Sequence, residues 1–371
     1  MQILNHEVDV KRGTRDILKD LVAVVNAVMR PTSPGGYRME DEFPHLLGSD
    51  NAKNIYYIEE DGKPVSVIAI KIWKALLDSH AITVASLGSV STLQEYRGKG
   101  YATSILERII SDLKAQKVSL LIVSGTRDLY KRAGCIQAGL IYQYNIRRES
   151  LPYSSKSKQF SIRKITRRQE SAEWILDLYN MERYRFERDL SLMKTLLDSI
   201  WFRRENWPME LFEISENGFR IAYFIGYKRG SESRTLNVME MAGSRHGIIN
   251  SLGAIIDDMN ADDILLRVHP ADTSMIGILD SIGFSRREAP VQGTVRVIDP
   301  SSLLNDLGNV VAERNWRCFS DQQGENYKLH CESPTARIDA KTPSEITDAF
   351  FGTGDASMKI PLMFTDDLNF I

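Results

Sequence analysis

The chain has 371 residues, 43% apolar and 26% charged, with a formal net charge of −2. That length suggests two or three domains at about 100–200 residues each, and the near-neutral balance argues against a nucleic acid or an anionic membrane surface as partner. The three cysteines (Cys135, Cys318 and Cys331) are too few for a disulfide framework and fit a reducing compartment; with no apolar core of signal-peptide length at the N-terminus and no run near the roughly 20 apolar residues of a membrane span, a soluble cytoplasmic protein is expected.

Residues 15–30 (RDILKDLVAVVNAVMR) place apolar residues at helical spacing. Residues 54–73 (NIYYIEEDGKPVSVIAIKIW) read as two strands joined by the tight-turn pair Asp61-Gly62. A further strand (SHAITVASLGSV) runs into a glycine turn, YRGKGYA, and then a helix over about 101–115. The run VSLLIVSG at 118–125 is nearly all apolar, as in a strand buried on both faces. A short helix, RDLYKRAG, closes on Gly134, a natural helix-ending residue, and LIYQYNIRR returns as a strand. Residues 147–168, rich in Arg, Lys and Ser, read as a solvated linker.

Beyond it the order of elements repeats. A hairpin at 209–228 is followed by a strand (RTLNVMEMAGS), a turn (RHG), a helix (IINSLGAIIDDM), a strand (ADDILLRVHPAD) and a helix ending in glycine. Gly100 to Gly134 spans 34 residues (134 − 100) and Gly247 to Gly283 spans 36 (283 − 247). From about 299 the pattern changes: Asp299-Pro300 and the serines after it open a helix, WRCFSDQQGENYKLHC is a hairpin, and TPSEITDAFFG is a short helix. Cys318 and Cys331 flank that hairpin turn; the redox or disulfide reading is set below that of two small apolar residues. The six histidines show no metal-ligand spacing. Three units follow, about 1–150, 155–298 and 299–371.

The glycine turn admits three phosphate-binding readings. A P-loop requires G-x-x-x-x-G-K-[ST], which Gly98-Lys99-Gly100-Tyr101 does not supply. A dinucleotide fingerprint requires a third glycine where Thr103 stands, and an acidic residue closing the next strand, which ends instead in Ser124-Gly125. The third, R-x-x-G-x-A, fits Arg97-Gly98-Lys99-Gly100-Tyr101-Ala102: consecutive amides at a helix N-terminus, two residues without side chains, and flanking positive charge. A plain glycine turn capping a helix is the rival.

These residues resemble the GCN5-related N-acetyltransferase (GNAT) family over about 40–146. There the motif follows the fourth strand and cradles the pyrophosphate of acetyl-CoA; a second motif of the type LYxxxGF corresponds to Leu129-Tyr130-Lys131-Arg132-Ala133-Gly134-Cys135. The repeat, aligned on Gly247, lacks the first arginine, the first glycine and the small last residue, and has Leu279 in place of Tyr130, so it reads as a scaffold without chemistry. The whole layout is similar to the enhanced-intracellular-survival acetyltransferases, with a tail, IPLMFTDDLNFI, loosely like theirs. The resemblance implies an α/β (α+β) fold class: tandem GNAT folds with mixed central sheets, the second degenerate, plus a small C-terminal sterol-carrier-like α+β domain, with self-association.

It further implies direct acetyl transfer from acetyl-CoA, the co-substrate, to a primary amine of a small molecule or peptide, without a metal. Backbone amides among Val90, Ser91 and Thr92 would polarise the thioester carbonyl and hold the pantetheine arm. The segment Arg97, Gly98, Lys99, Gly100, Tyr101, Ala102 and Thr103 would take the diphosphate. Tyr130 would protonate the leaving thiolate. An alkyl ammonium, with a pKa near 10.4, needs roughly 4–5 kcal/mol to reach its reactive form at pH 7; the resemblance carries the carboxylate of Ile371 over as the base, with a merely docked apolar tail as the equal alternative. The acidic groups Glu40, Asp41 and Glu42, with Asp366 and Asp367 near the tail, read either as a solvated acidic loop or as the lure for a cationic acceptor such as an aminoglycoside, polyamine or lysine side chain. Two rivals remain: a transferase with another acyl donor or an O-acceptor, and a CoA-binding sensor or interaction module without turnover.

Overall fold

The structure, a computed structural model, describes residues 9–32, 36, 38–78, 80–151, 159–203, 207–323, 326–355 and 357–371. The first half runs β1 (Lys11–Arg12), α1 (Leu18–Met29), α2 (Met39–Glu42), α3 (Pro44–Leu47), β2 (Ile55–Glu60), β3 (Lys63–Leu77), β4 (His80–Thr92), α4 (Tyr101–Ala115), β5 (Leu120–Val123), α5 (Asp128–Arg132) and β6 (Ile141–Arg147). The second runs β7 (Phe160–Lys164), α6 (Arg168–Asn180), β8 (Tyr184–Phe186), α7 (Leu190–Arg203), β9 (Met209–Glu216), β10 (Phe219–Lys228), β11 (Thr235–Gly243), α8 (Arg245–Asp258), β12 (Asp263–Val268), α9 (Thr273–Ile282), β13 (Arg287–Ala289) and β14 (Thr294–Val297). Last come α10 (Pro300–Glu313), β15 (Arg317–Gln323), β16 (Asn326–Glu332), β17 (Arg337–Ala340) and α11 (Pro343–Phe351).

The first sheet has the order β1-β2-β3-β4-β5-β14, with β8 attached to β3; the second has β7-β9-β10-β11-β12-β6-β13. Each is an antiparallel meander that turns parallel at one pair, β4–β5 in the first and β11–β12 in the second. The elements between these pairs, α4 and α8, are the crossover helices that a parallel pair requires. The repeat in the sequence is therefore a repeat in space.

Two strands are exchanged. β6 ends the first half in the chain but pairs with β12, Ile264 opposite Ile146 and Leu266 opposite Tyr144. β14, from the second half, closes the first sheet against β5. Both swaps bury apolar faces, since Tyr144, Ile146, Val295 and Val297 are buried.

The third sheet, β15-β16-β17, is covered by α10 and α11, whose Leu303, Leu307, Phe350 and Phe351 share one core with Trp73, Val84 and Leu120 of the first sheet. Asp299 itself caps α10, its carboxylate accepting from the Ser302 N–H at 2.9 Å, with Pro300 in the first turn. No helix among the described residues is long and apolar enough to cross a membrane.

Two expectations change. The 147–168 segment is not all linker: Phe160–Lys164 forms the edge strand β7 on β9, while 152–158 lies outside the described residues. Cys318 and Cys331 are not two independent apolar residues; they face each other across the β15–β16 hairpin and are joined by a disulfide. That bond removes the support cysteine usage lent to a reducing compartment.

Candidate active site

Strands β4 and β5 pair in register from Val84–Leu120 to Leu87–Val123 and no further. At that point β4 bulges: Val67 stands opposite Ser91 and Ala69 opposite Gly88, so the partner strand spans the gap with one fewer residue. Ser89 takes the bulge with a left-handed φ of 53°. The extra residue turns β4 away from β5, and its continuation, Gly88–Thr92, has no strand on that side. The backbone groups of this free edge, in the region of Val90, Ser91 and Thr92, are what an added extended chain would pair with. The hydroxyls of Ser89 and Ser91 are buried here without hydrogen-bond partners among the described residues.

Where β4 ends, the glycine turn begins. Gly98 (φ 80°) and Gly100 (φ 83°) are both left-handed, a conformation costly for a residue with a Cβ. A Cβ on either would meet nothing within 4 Å, so the turn faces open space. Gly100 caps α4 without a side chain, and among the described residues the N–H groups of Gly98, Lys99, Gly100, Tyr101 and Ala102 have no partner. Arg97 donates to the Thr92 carbonyl at 3.1 Å, which pins the turn to the end of β4. Lys99 lies over the Tyr96 ring and 3.9 Å from Glu60, which also accepts from the Tyr101 hydroxyl. Thr103 bonds back to the Gly100 carbonyl at 2.9 Å. The turn thus offers five amides without partners among the described residues, and its residues fit a diphosphate.

Tyr130, on α5, is buried with its ring against Gly125, where a Cβ would lie 2.9 Å from the ring edge. Its hydroxyl has no hydrogen-bond partner among the described residues. Burial pushes its phenol above the ordinary value, with Arg127 opposing. Cys135 is buried near it, its thiol pushed up to about 11, and is inert as a nucleophile at neutral pH.

The C-terminal tail completes the site. A Cβ on Gly88 would lie 3.1 Å from the carboxyl carbon of Ile371. Ile371 shares one core with Phe43, Leu46, Val67 and Ala69, the last two on β3 opposite the bulge. A chain of buried bonds holds the tail. Arg188 donates to Asn369 Oδ1 at 2.7 Å, to both oxygens of Glu240 at 2.9 and 2.7 Å, and to Asp367 Oδ2 at 3.3 Å. Arg203 donates to the Phe370 carbonyl at 3.3 Å and to the Glu42 carbonyl at 3.1 Å. Arg267 pairs with Asp366, and His269 Nε2 meets the Leu362 carbonyl at 2.9 Å. Burial lowers Arg203 to about 10 and raises Asp367 to about 7. Asp367 is the weaker partner of Arg188, since Glu240 takes two of its bonds.

This network spends the carboxylates that pointed to a cationic acceptor. Asp366 and Asp367 face Arg267 and Arg188. Glu42 is buried in a bidentate pair with Arg30, Glu40 accepts from Asn26, and Asp41 accepts from the Arg38 N–H as part of a helix cap. Sequence reading missed Gly88, Ser89, Arg188, Arg203 and Glu240. Only Gly88 left a signal, a glycine inside an apolar strand, which marks a bulge or a close backbone approach.

Residues 9–138 match the family model described as an acetyltransferase (GNAT) domain. The chain carries a GNAT acetyltransferase domain. It contains β4, the glycine turn and Tyr130, and makes the protein an acyltransferase. Among solved structures the whole chain is similar to a probable N-acyltransferase from Enterococcus faecalis V583, at 16% identity and TM-score 0.64 over 90% of this chain and 85% of that one. It is similar to Eis1 from Mycobacterium abscessus, at 14% and 0.62 over 94% and 90%. It is also similar to a GCN5-related N-acetyltransferase from Kribbella flavida, at 12% and 0.60 over 91% and 83%. At these identities the likeness is one of fold, and it extends the tandem GNAT architecture over the chain. No curated protein sequence is matched significantly.

Proposed function

We propose that the protein transfers an acetyl group from acetyl-CoA directly to a primary amine of a small molecule or peptide. The observation that carries this reading is the carboxyl carbon of Ile371 against Gly88, at the place where β4 parts from β5. The last residues are brought to the free edge of β4 by two buried arginines, Arg188 on Asn369 and Arg203 on the Phe370 carbonyl, a costly arrangement for packing alone.

The coenzyme supplies an acetyl group activated as a thioester. Gly98 to Ala102 would hold its diphosphate, with Arg97 and Lys99 adding charge. The free edge of β4 at Val90, Ser91 and Thr92 would take the pantetheine arm and offer an amide to the developing oxyanion. Tyr130, kept protonated by burial, would give its proton to the departing sulfur. The Ile371 carboxylate would take the proton from the incoming ammonium. The acceptor's own charge draws no support from the acidic groups now paired internally. In the same reading, 1–150 is the catalytic unit, 155–298 a GNAT-like scaffold, and 299–371 a sterol-carrier-like unit, supported by its small antiparallel sheet under two helices.

The test is release of CoA thiol from acetyl-CoA with polyamines, aminoglycosides and lysine peptides. Turnover with an amine is expected, and Tyr130→Phe should lower kcat by about 10²–10⁴-fold with little change in coenzyme KM. Tight coenzyme binding without release across the panel would instead favour a sensor.

A further inference from the structure

The second sheet opens as the first does. β11 pairs with β12 from Thr235–Asp263 to Asn237–Leu265 and no further, and its pairing with β10 slips between Ile225 and Gly226, leaving Met239 as the extra residue. The gap between the diverging ends of β11 and β12 is a cavity of about 590 Å³. That is room for a small organic molecule.

The groups that admit phosphates in the first cleft are reversed here. Ser244 caps α8 with its own hydroxyl, accepting from Gly247 at 3.1 Å, so one helix-end amide is already satisfied. Arg245, beside it, is locked by two carboxylates: Glu182 at 2.5 and 2.8 Å and Asp272 at 2.7 Å. A diphosphate would meet that acidic pair. Deeper in, Glu240 and Asp367 again share one guanidinium, that of Arg188. The other arginines of the wall are each matched by one acid, Arg267 by Asp366 and Arg183 by Asp78. Four carboxylates (Glu182, Glu240, Asp272 and Asp367) line the cavity against three guanidiniums (Arg183, Arg245 and Arg267), and two of those three are already matched by Asp78 and Asp366 outside it, which leaves the lining with an excess of acid. The rest of the wall is apolar and polarisable, with Met181, Met239, Met241, Tyr184 and Phe364. Met181, at 74% exposure, stands at the rim.

We propose that the cleft between β11 and β12 is a second binding site, which takes a small molecule with an aromatic or aliphatic body and one cationic group. Carboxylates in excess, methionines and a tyrosine face together suit an organic ammonium. The site is separate from the acetyl-transfer cleft, and its floor includes Asp367, four residues before Ile371, so an occupant touches the segment that carries the terminal carboxylate.

The probe is benzyltrimethylammonium, which has no N–H to acetylate, compared with 3-phenylpropionate, an anion of similar size. Calorimetry on the full chain should show saturable binding of the ammonium and none of the carboxylate. Met241→Trp, which fills the cavity, should abolish ammonium binding while coenzyme titration and turnover persist. Glu182→Gln should weaken ammonium binding by about tenfold without filling anything, and serves if Met241→Trp does not fold. Equal binding of both probes would overturn the charge assignment. Ammonium binding untouched by both variants would overturn the site. Neither result bears on coenzyme binding at Gly98–Ala102, which is read separately.

Discussion

Gly88 is the residue on which two distant parts of the chain meet. Any side chain there enters the space of the Ile371 carboxyl carbon, 3.1 Å from the first added atom. Gly88→Val should therefore push the tail away from β4; kcat is expected to fall at least tenfold while the coenzyme still titrates, because Gly98 and Gly100 lie beyond the end of β4, after Thr92, and do not touch Ile371. A chain extended by one glycine after Ile371 should behave alike, since it moves the carboxylate rather than removing it. Steady-state kinetics check both; unchanged kcat in the extended chain would reduce the tail to packing. The sequence held half of this. Gly88 sits in an apolar strand, where glycine has a positional meaning, and the apolar ending of the chain is visible. What brings them together is Arg188, whose partners Glu240, Asp367 and Asn369 lie 52, 179 and 181 residues away. No local pattern encodes that.

The glycine turn and α4 show the opposite case, an element whose purpose is local. Turn, cap and helix are contiguous, so motif and geometry coincide and the cradle is readable without the fold. Gly100 carries most of it, being both the left-handed residue and the helix cap. Gly100→Ala should cost about 1–2 kcal/mol of backbone strain and place a methyl in the space otherwise open to a ligand. A rise of about tenfold or more in coenzyme KM is expected, with a smaller change in kcat. Calorimetric titration with CoA checks it, and equal affinity would show that the diphosphate lies elsewhere. Strands were harder to assign than this turn. The sequence marks β6 as a strand and leaves β14 unread, and only tertiary pairing decides that the two trade sheets, because an apolar strand fits either edge. The acidic stretch at 40–42 misled for a related reason: composition shows charge, and only the fold shows that Arg30, Asn26 and the α2 cap have already taken it.

The tail touches both large sheets, Ile371 the first and Leu368 the second, and its buried titratable groups make that closure sensitive to pH in two opposite ways. His269 receives the Ala271 N–H on Nδ1 at 3.1 Å and meets the Leu362 carbonyl through Nε2 at 2.9 Å, so its neutral form satisfies both neighbours. A second proton would leave the Ala271 N–H facing a donor, and burial lowers its pKa to about 4. The unfolded chain binds that proton near pH 6.5, so stability is present above this value and is lost as pH falls toward 4. His45, buried between Phe43 and Trp73, is lowered by burial and by Arg203, Lys71 and Arg188, and acts in the same direction. Asp367 runs the other way. Raised to about 7, it holds a proton that the unfolded chain gives up near 3.8, so its contribution is complete below that and is lost as pH rises toward 7. Urea unfolding at a series of pH values separates them. From pH 7.5 to 5, wild type should lose on the order of 2 kcal/mol more than His269→Gln. Asp367→Asn should gain on wild type between pH 5 and 8, since the amide cannot ionise beside Glu240. Parallel pH profiles for wild type and both variants would mean that the tail is solvated rather than docked, and the carboxylate of Ile371 would then have no fixed place at the bulge of β4.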